Sequence, residues 1–236
     1  MPGGYAELRA RAFEANREIV RAGLVVLTFG NASALDRDAG VMAIKPSGVG
    51  YDALGADSIV VVDLETGAVV EGTFRPSSDT PTHLVLYRAF AEVAGIVHTH
   101  SPFATAWAQA CREIPCFGTT HADHFRGSVP VTRALTTEEI AGDYEAKTGD
   151  VVVETLATLG LGPLEMPAVL VASHAPFVWG ADVAEAVENA VALEAVAAAA
   201  LGTEQLRPGA PPIAEELLLR HFSRKHGPAA YYGQEP

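Results

Sequence analysis

The sequence predicts a layered α/β fold whose sheet is at least partly antiparallel. Three observations carry this. Short β-type runs and helical periodicities are interleaved along the chain. Two of the β-type runs flank Glu65-Thr66-Gly67, a hairpin signal, and hairpins join antiparallel neighbours. No internal repeat and no long linker divides the 236 residues, so residues 1–236 are expected to form one domain.

Taken in order, residues Ala6 to Ala22 have helical periodicity, and Gly23 is placed to stop the helix. Strands are expected at Leu24–Thr28, Val41–Lys45, Ile59–Asp63 and Ala68–Glu71. A helix follows from Pro81 to Glu92, with proline at its first position. Gly95–His100 reads as a strand, and Ser101-Pro102 opens a helix toward Arg112. Further helices are expected at Thr137–Tyr144 and Asp150–Leu159, and a buried strand at Ala168–Ser173. Asp182 caps a long alanine-rich helix that Gly202 is expected to end. Pro208, Pro211 and Pro212 form a loop before a last helix, Ile213 to Lys225.

Hydrophobic residues make up 49% of the chain and charged residues 19%, which places it among globular proteins. The formal net charge of −13 repels polyanions and argues against nucleic-acid binding. It also requires that any site for a phosphorylated substrate carry its own local positive charge. Cys111 and Cys116 form no disulfide pattern, which suggests a reducing compartment. Met1 to Glu14 lacks a signal-type apolar run, and the most apolar stretch, Val183–Leu201, is interrupted by Glu185, Glu188, Asn189 and Glu194. No membrane association is expected, and the cytoplasm is the expected location.

Two groups of residues carry chemistry. His98 and His100 are two apart on a strand, so both imidazoles project from one face. His174 ends another apolar strand, and Asp79 in Ser77-Ser78-Asp79-Thr80 offers a carboxylate. Three imidazoles plus a carboxylate or water suit Zn²⁺ or another divalent first-row ion. The second group is Gly30-Asn31, Lys45-Pro46-Ser47-Gly48 and Ser77-Ser78, each a donor-rich loop after a strand-like run. Clustered N–H groups, hydroxyls and a lysine are the means by which a protein replaces an anion's hydration. Gly160-Leu161-Gly162 lacks the third glycine of a dinucleotide fingerprint, and neither GxSxG nor HExxH occurs.

Longer motifs connect these pieces. Thr28-Phe29-Gly30-Asn31-Ala32-Ser33, Ile44-Lys45-Pro46-Ser47-Gly48 and Pro76-Ser77-Ser78-Asp79-Thr80-Pro81-Thr82-His83 resemble the class II aldolase/epimerase family. So do Gly95-Ile96-Val97-His98-Thr99-His100-Ser101, Gly118-Thr119-Thr120-His121-Ala122-Asp123, Arg224-Lys225-His226-Gly227 and Tyr231-Tyr232-Gly233-Gln234. The match runs from about residue 7 to Gln234 and is closest to the branch of pentulose-phosphate 4-epimerases.

The resemblance implies a three-layer α/β/α sandwich with a central, largely antiparallel sheet. It implies a homotetramer whose active sites lie between neighbouring subunits. By motif position, Asp79, His98, His100 and His174 would hold the metal, Zn²⁺ or another divalent ion. Gly30, Asn31, Ser47, Gly48, Ser77 and Ser78 would bind a pentulose phosphate, with Lys45 beside them. Asp123 and Tyr232 would be the acid/base pair, Tyr232 reaching in from the adjacent subunit. One departure is Arg126, which stands where the resemblance leads one to expect an aromatic residue.

The implied reaction interconverts L-ribulose 5-phosphate and D-xylulose 5-phosphate. A carbonyl at C2 acidifies only C1 and C3, so inversion at C4 calls for reversible cleavage of C3–C4. The metal's Lewis acidity would stabilise the enediolate released by that cleavage. The rival reading is a sugar-phosphate aldolase of the same family; those relatives carry glutamate where Asp79 stands. A non-catalytic metal- or sugar-phosphate-binding protein is a third reading, disfavoured because both acid/base residues are present.

Overall fold

The computed structural model describes residues 4–226 together with 230–231. Tyr232 lies outside the described residues.

The first helix, α1, spans Ala6–Arg21. Gly23 ends it at φ 71°, with Gly23 N–H donating to Val20 O at 2.9 Å and Leu24 N–H to Ile19 O at 3.0 Å. That pair of bonds is a Schellman stop, as the glycine led us to expect. The expected strand at Leu24–Thr28 is absent. This segment is irregular, with Leu27 at φ 55°.

The strand that enters the sheet is β1, Asn31–Asp36, followed by β2 at Val41–Ile44, β3 at Val60–Asp63 and β4 at Val69–Glu71. Residues Asn31–Leu35 are buried, and at its middle the strand carries Ala32, Ser33 and Ala34 between two helical layers. Small side chains let helices approach on both faces, so the strand shows neither polar alternation nor β-branched enrichment. The usual sequence signal is therefore missing.

After the β3–β4 hairpin come α2 (Thr80–Ala89), β5 (Gly95–His98), α3 (Pro102–Gln109) and the single-turn α4 (Thr119–Ala122). Two helices, α5 (Thr137–Ala141) and α6 (Tyr144–Leu159), lie near the expected pair, but α6 starts six residues earlier than expected. Gly149 sits inside α6 because α2 crosses there: an added Cβ would lie 2.7 Å from Val85 Cβ. Thr136 and Glu139 form a capping box ahead of α5.

The expected strand Ala168–Ser173 divides. Only Ala168–Leu170 forms β6; the chain turns at Ser173, φ 60°, and returns as β7, Pro176–Gly180. A proline at the head of β7 concealed it, since the first residue is one of the few strand positions proline tolerates. Asp182 caps α7 (Val183–Leu206) by accepting from Glu185 N–H at 2.9 Å. The helix runs through Gly202 and stops at Arg207, the residue before Pro208, which cannot continue a helix. The last helix, α8, spans Glu215–Lys225.

Among the described residues, seven strands form one sheet in the order β4-β3-β2-β1-β5-β7-β6, and every named strand pair is antiparallel. On one face lie α1, α3 and α7; on the other lie α2 and α6. This is the three-layer arrangement. Helix α7 has the length and composition of a membrane span, yet Val183, Ala186, Val187, Ala190 and Leu193 are buried and the helix packs on β5 and β7. It is a core helix.

Candidate metal centre and anion cavity

One transverse row of the sheet builds the site. In the register of β1, β5 and β7, Asn31 stands opposite His98, and His98 opposite Phe177. Directly paired residues share a face, so all three side chains leave the sheet toward α2 at one edge. His98 is buried and stacks on Phe177, with centroids 4.2 Å apart and planes 15° apart. Its Nδ1 lies 2.9 Å from Pro176 O. A carbonyl only accepts, so Nδ1 carries the hydrogen and the lone pair is on Nε2.

That lone pair faces His100. The two Nε2 atoms are 3.2 Å apart. His174, on the turn between β6 and β7, completes a near-equilateral triangle: ring centroids are 5.0 Å apart for His98–His100, 5.0 Å for His98–His174 and 5.1 Å for His100–His174. One ligand atom from each lies within 4.8 Å of the others, the arrangement of a group able to hold a metal ion. Nitrogens at about 2.0–2.1 Å from a tetrahedral ion are separated by about 3.3 Å, close to the His98–His100 spacing.

The donor set also fits electronically. Burial, then the neighbouring imidazoles, hold His174 down to about 4 and His100 below the usual histidine range. Both rings are neutral at pH 7, as metal ligation requires. His174 Nδ1 is buried without a hydrogen-bond partner among the described residues. Such an orphan is costly in a merely structural histidine cluster.

Asp79 is the N-cap of α2, yet its side chain caps nothing. It turns instead to the sheet edge, where Asn31 Nδ2 donates to its Oδ2 at 2.7 Å. Burial pushes this carboxyl up, but the His98 and His83 imidazoles and the Asn31 bond outweigh it and hold Asp79 below the usual carboxylate range. Asp79 lines the same cavity as the histidines without being one of the triad group. His83, one helical turn after Asp79, is fully buried. Its Nδ1 is 2.7 Å from Ser33 Oγ, which also bonds Tyr87 OH at 2.8 Å. In the sequence His83 stands inside the Pro76–His83 motif with nothing to mark this role.

The anion loops converge on the triad. Pro46 and Pro76 form an antiparallel bridge, Ser47 N–H donates to Arg75 O at 3.0 Å, and Ser77 N–H to Lys45 O at 3.0 Å. Gly30 holds φ 86° where the chain passes the end of β5; an added Cβ would lie 2.8 Å from His98 O. Only glycine meets both conditions. The result is one cavity of about 260 Å³. Its walls include Gly30, Asn31, Lys45, Ser47, Gly48, Ser77, Ser78 and Asp79 together with His98, His100 and His174. Thr28, Phe29 and Pro46 also line it. Lys45 is buried, and burial lowers its ammonium from the usual lysine value while Asp79 acts in the opposite direction.

Asp123 lies elsewhere. It closes α4, and α8 packs on it: Arg224 donates to Oδ1 at 2.8 Å and to Oδ2 at 2.6 Å, and His221 Nδ1 is 3.1 Å from Oδ1. Burial pushes the Asp123 carboxyl up; Arg224 and His221 outweigh it and hold it below the usual range. Asp123 does not line the triad cavity. His221 and Arg224 together hold this carboxylate. Arg126 pairs with Glu165 and its backbone N–H donates to Glu165 O, so it is occupied away from the cavity.

Comparison with known proteins agrees with this architecture. The chain is 52% identical over 229 residues to the L-ribulose-5-phosphate 4-epimerase UlaF of Salmonella paratyphi A, covering 97% of this chain and 99% of that protein. The same figures hold for the protein of that name from Salmonella typhi. Among solved structures, an L-fuculose 1-phosphate aldolase superposes with TM-score 0.77 at 25% identity, covering 96% of this chain and 99% of that one. The L-fuculose 1-phosphate aldolase of Glaciozyma antarctica shares the fold at TM-score 0.74 and 18% identity, covering 95% and 84%. Residues 10–201 match the family described as Class II Aldolase and Adducin N-terminal domain, and the chain belongs to that family.

Proposed function

We propose that the chain is an L-ribulose-5-phosphate 4-epimerase, an isomerase that forms D-xylulose 5-phosphate by breaking and re-forming C3–C4. The observation that carries the reading is the single cavity in which three imidazoles face a lysine and the donor-rich loops. The name carried by relatives 52% identical over nearly the full length supports it.

His98, His100 and His174 would hold a divalent ion, Zn²⁺ by donor type, with Asp79 beside them. When bound, that ion supplies Lewis acidity that stabilises negative charge on the ketose oxygens as C3–C4 breaks. The remaining work falls to the chain. Lys45 supplies the positive charge that a protein of net charge −13 otherwise denies a phosphate, and the Ser47, Ser77 and Ser78 hydroxyls with the Gly48 and Ser78 backbone N–H groups complete its seat. Asn31 orients the Asp79 carboxylate. Asp123 and Tyr232 would exchange a proton with the C4 oxygen, one on each face of the aldehyde.

Asp123 is outside the cavity lining, and Val26, Leu27 and Phe29 leave apolar side chains exposed at or beside its rim. Both facts support a homotetramer in which a neighbouring subunit brings its Asp123 and Tyr232 to the site. We also infer one cytoplasmic domain spanning the chain, in keeping with its two free cysteines.

Incubation with L-ribulose 5-phosphate, with and without chelator, tests the reading. Metal-dependent appearance of D-xylulose 5-phosphate is expected; turnover that survives complete removal of metal overturns it. The rival reading, a sugar-phosphate aldolase, is favoured by the likeness to the fuculose-phosphate enzyme structure. It predicts that free aldehyde accumulates in a coupled assay.

A further inference from the structure

Tyr51 has no part in the function described so far, yet it touches both halves of the site. It opens a short 3₁₀ turn, Tyr51–Ala53, just beyond the Lys45–Gly48 loop. The ring lies against the lysine: Lys45 Nζ is 4.8 Å from the ring centroid. A cation within about 6 Å of an aromatic face is held by the ring quadrupole, more strongly when water is excluded. The polar contacts of this ammonium are weak by comparison, since Thr28 O and Pro46 O both stand at 3.5 Å. Charge-assisted bonds are normally about 2.7–2.9 Å.

The other end of the side chain is fixed as well. The Tyr51 hydroxyl donates to Gly30 O at 2.9 Å, with Phe29 O at 3.4 Å. Gly30 is the turn that passes against the His98 carbonyl. Burial pushes the phenol up, so it remains a neutral donor. A buried lysine with three N–H groups, two distant carbonyls and one aromatic face is poised to give its hydrogens to an incoming anion.

We propose that Tyr51 is a positioning residue for Lys45, its ring holding the ammonium toward the cavity while its hydroxyl pins the Gly30 turn. The proposal rests on the reading of Lys45 as the ligand of the substrate's phosphate. It predicts an effect on ground-state binding and little on chemistry, because a phosphate contact is made equally before and during bond cleavage.

The test uses the metal-loaded full chain and inorganic phosphate as probe, its affinity read by ³¹P line broadening, alongside KM and kcat for L-ribulose 5-phosphate. Lys45→Ala should abolish measurable phosphate binding. Tyr51→Leu should weaken phosphate and raise KM roughly tenfold, as loss of a desolvated cation–π contact implies, with kcat within about threefold. Tyr51→Phe keeps the ring and should stay within about threefold of the parent, the cost of one hydroxyl bond. Tyr51→Phe carrying one to three ring fluorines keeps the shape but drains the quadrupole, so affinity should fall stepwise with fluorine number. That series decides the matter even if Tyr51→Leu does not fold. Indifference to fluorination while Lys45→Ala abolishes binding overturns the positioning role alone. Phosphate binding that survives Lys45→Ala overturns the underlying reading of Lys45.

Discussion

Gly30→Ala is the substitution that most directly couples backbone geometry to the metal centre. Gly30 holds φ 86°, a region that costs a residue with a Cβ about 1–2 kcal/mol. The new Cβ would also stand 2.8 Å from His98 O and 3.3 Å from Thr99 Cα. Both are backbone atoms, so relief requires that the end of β5 move, adding about 1–3 kcal/mol of overpacking. The total, about 2–5 kcal/mol, lowers the melting temperature of a chain this size by about 2–4 °C per kcal/mol. Gly23→Ala is the control: φ is 71°, but nothing lies within 4 Å, so only the conformational cost applies. Gly30→Ala should therefore lose about twice as many degrees. Because the displaced strand end carries His98, it should also lose metal affinity tenfold or more, in the range seen when a ligand's support is removed. Thermal melting and metal content after dialysis read both effects. If Gly30→Ala melts with Gly23→Ala and retains its metal, the close packing of this turn on the metal edge is not what positions His98.

Three further outcomes follow from the same geometry. His174→Ala should cut metal affinity by more than about 100-fold, beyond the usual cost of losing a supporting contact, as measured by competition with a chromogenic chelator. The Asp123 carboxyl is depressed in the folded state, so it stabilises the fold above the unfolded carboxylate value of about 3.9, and that stability is lost as pH falls through the lower folded value. Urea melts between pH 7 and 3 should thus be flatter on the acid side for Asp123→Asn than for the parent chain. Tyr232→Phe should slow epimerisation by about 100-fold or more, the scale of a general acid–base contribution, with metal content unchanged. Undiminished turnover would assign the proton transfer to another group.

The parts of the fold that were legible in the sequence are those whose signals are local. Gly23 stops α1, Asp182 caps α7, and Glu65-Thr66-Gly67 turns the β3–β4 hairpin, each by chemistry confined to a few residues. Strand β1 escaped notice because Ala32, Ser33 and Ala34 answer to helices on both faces rather than to any strand pattern. Gly202 misled for a related reason: a glycine ends a helix only where the chain takes φ above zero, and here Pro208 sets the limit. At the site, residue chemistry alone marks the histidines and the donor-rich loops as two separate groups, which only the longer motifs join. Their convergence depends on the register that sets Asn31 beside His98 and on the bridge between Pro46 and Pro76. Neither can be read from spacing along the chain. The role suggested for Tyr51 was equally hidden, since a cation–π contact between residues of one loop leaves no motif.

X-ray absorption at the metal edge of the loaded protein tests the central claim most directly. The account predicts three imidazole nitrogens at about 2.0–2.1 Å from the ion, with the imidazole signal reduced in His98→Ala, His100→Ala and His174→Ala alike. Tight metal binding with no imidazole scattering, or a spectrum unaltered by all three substitutions, would contradict it.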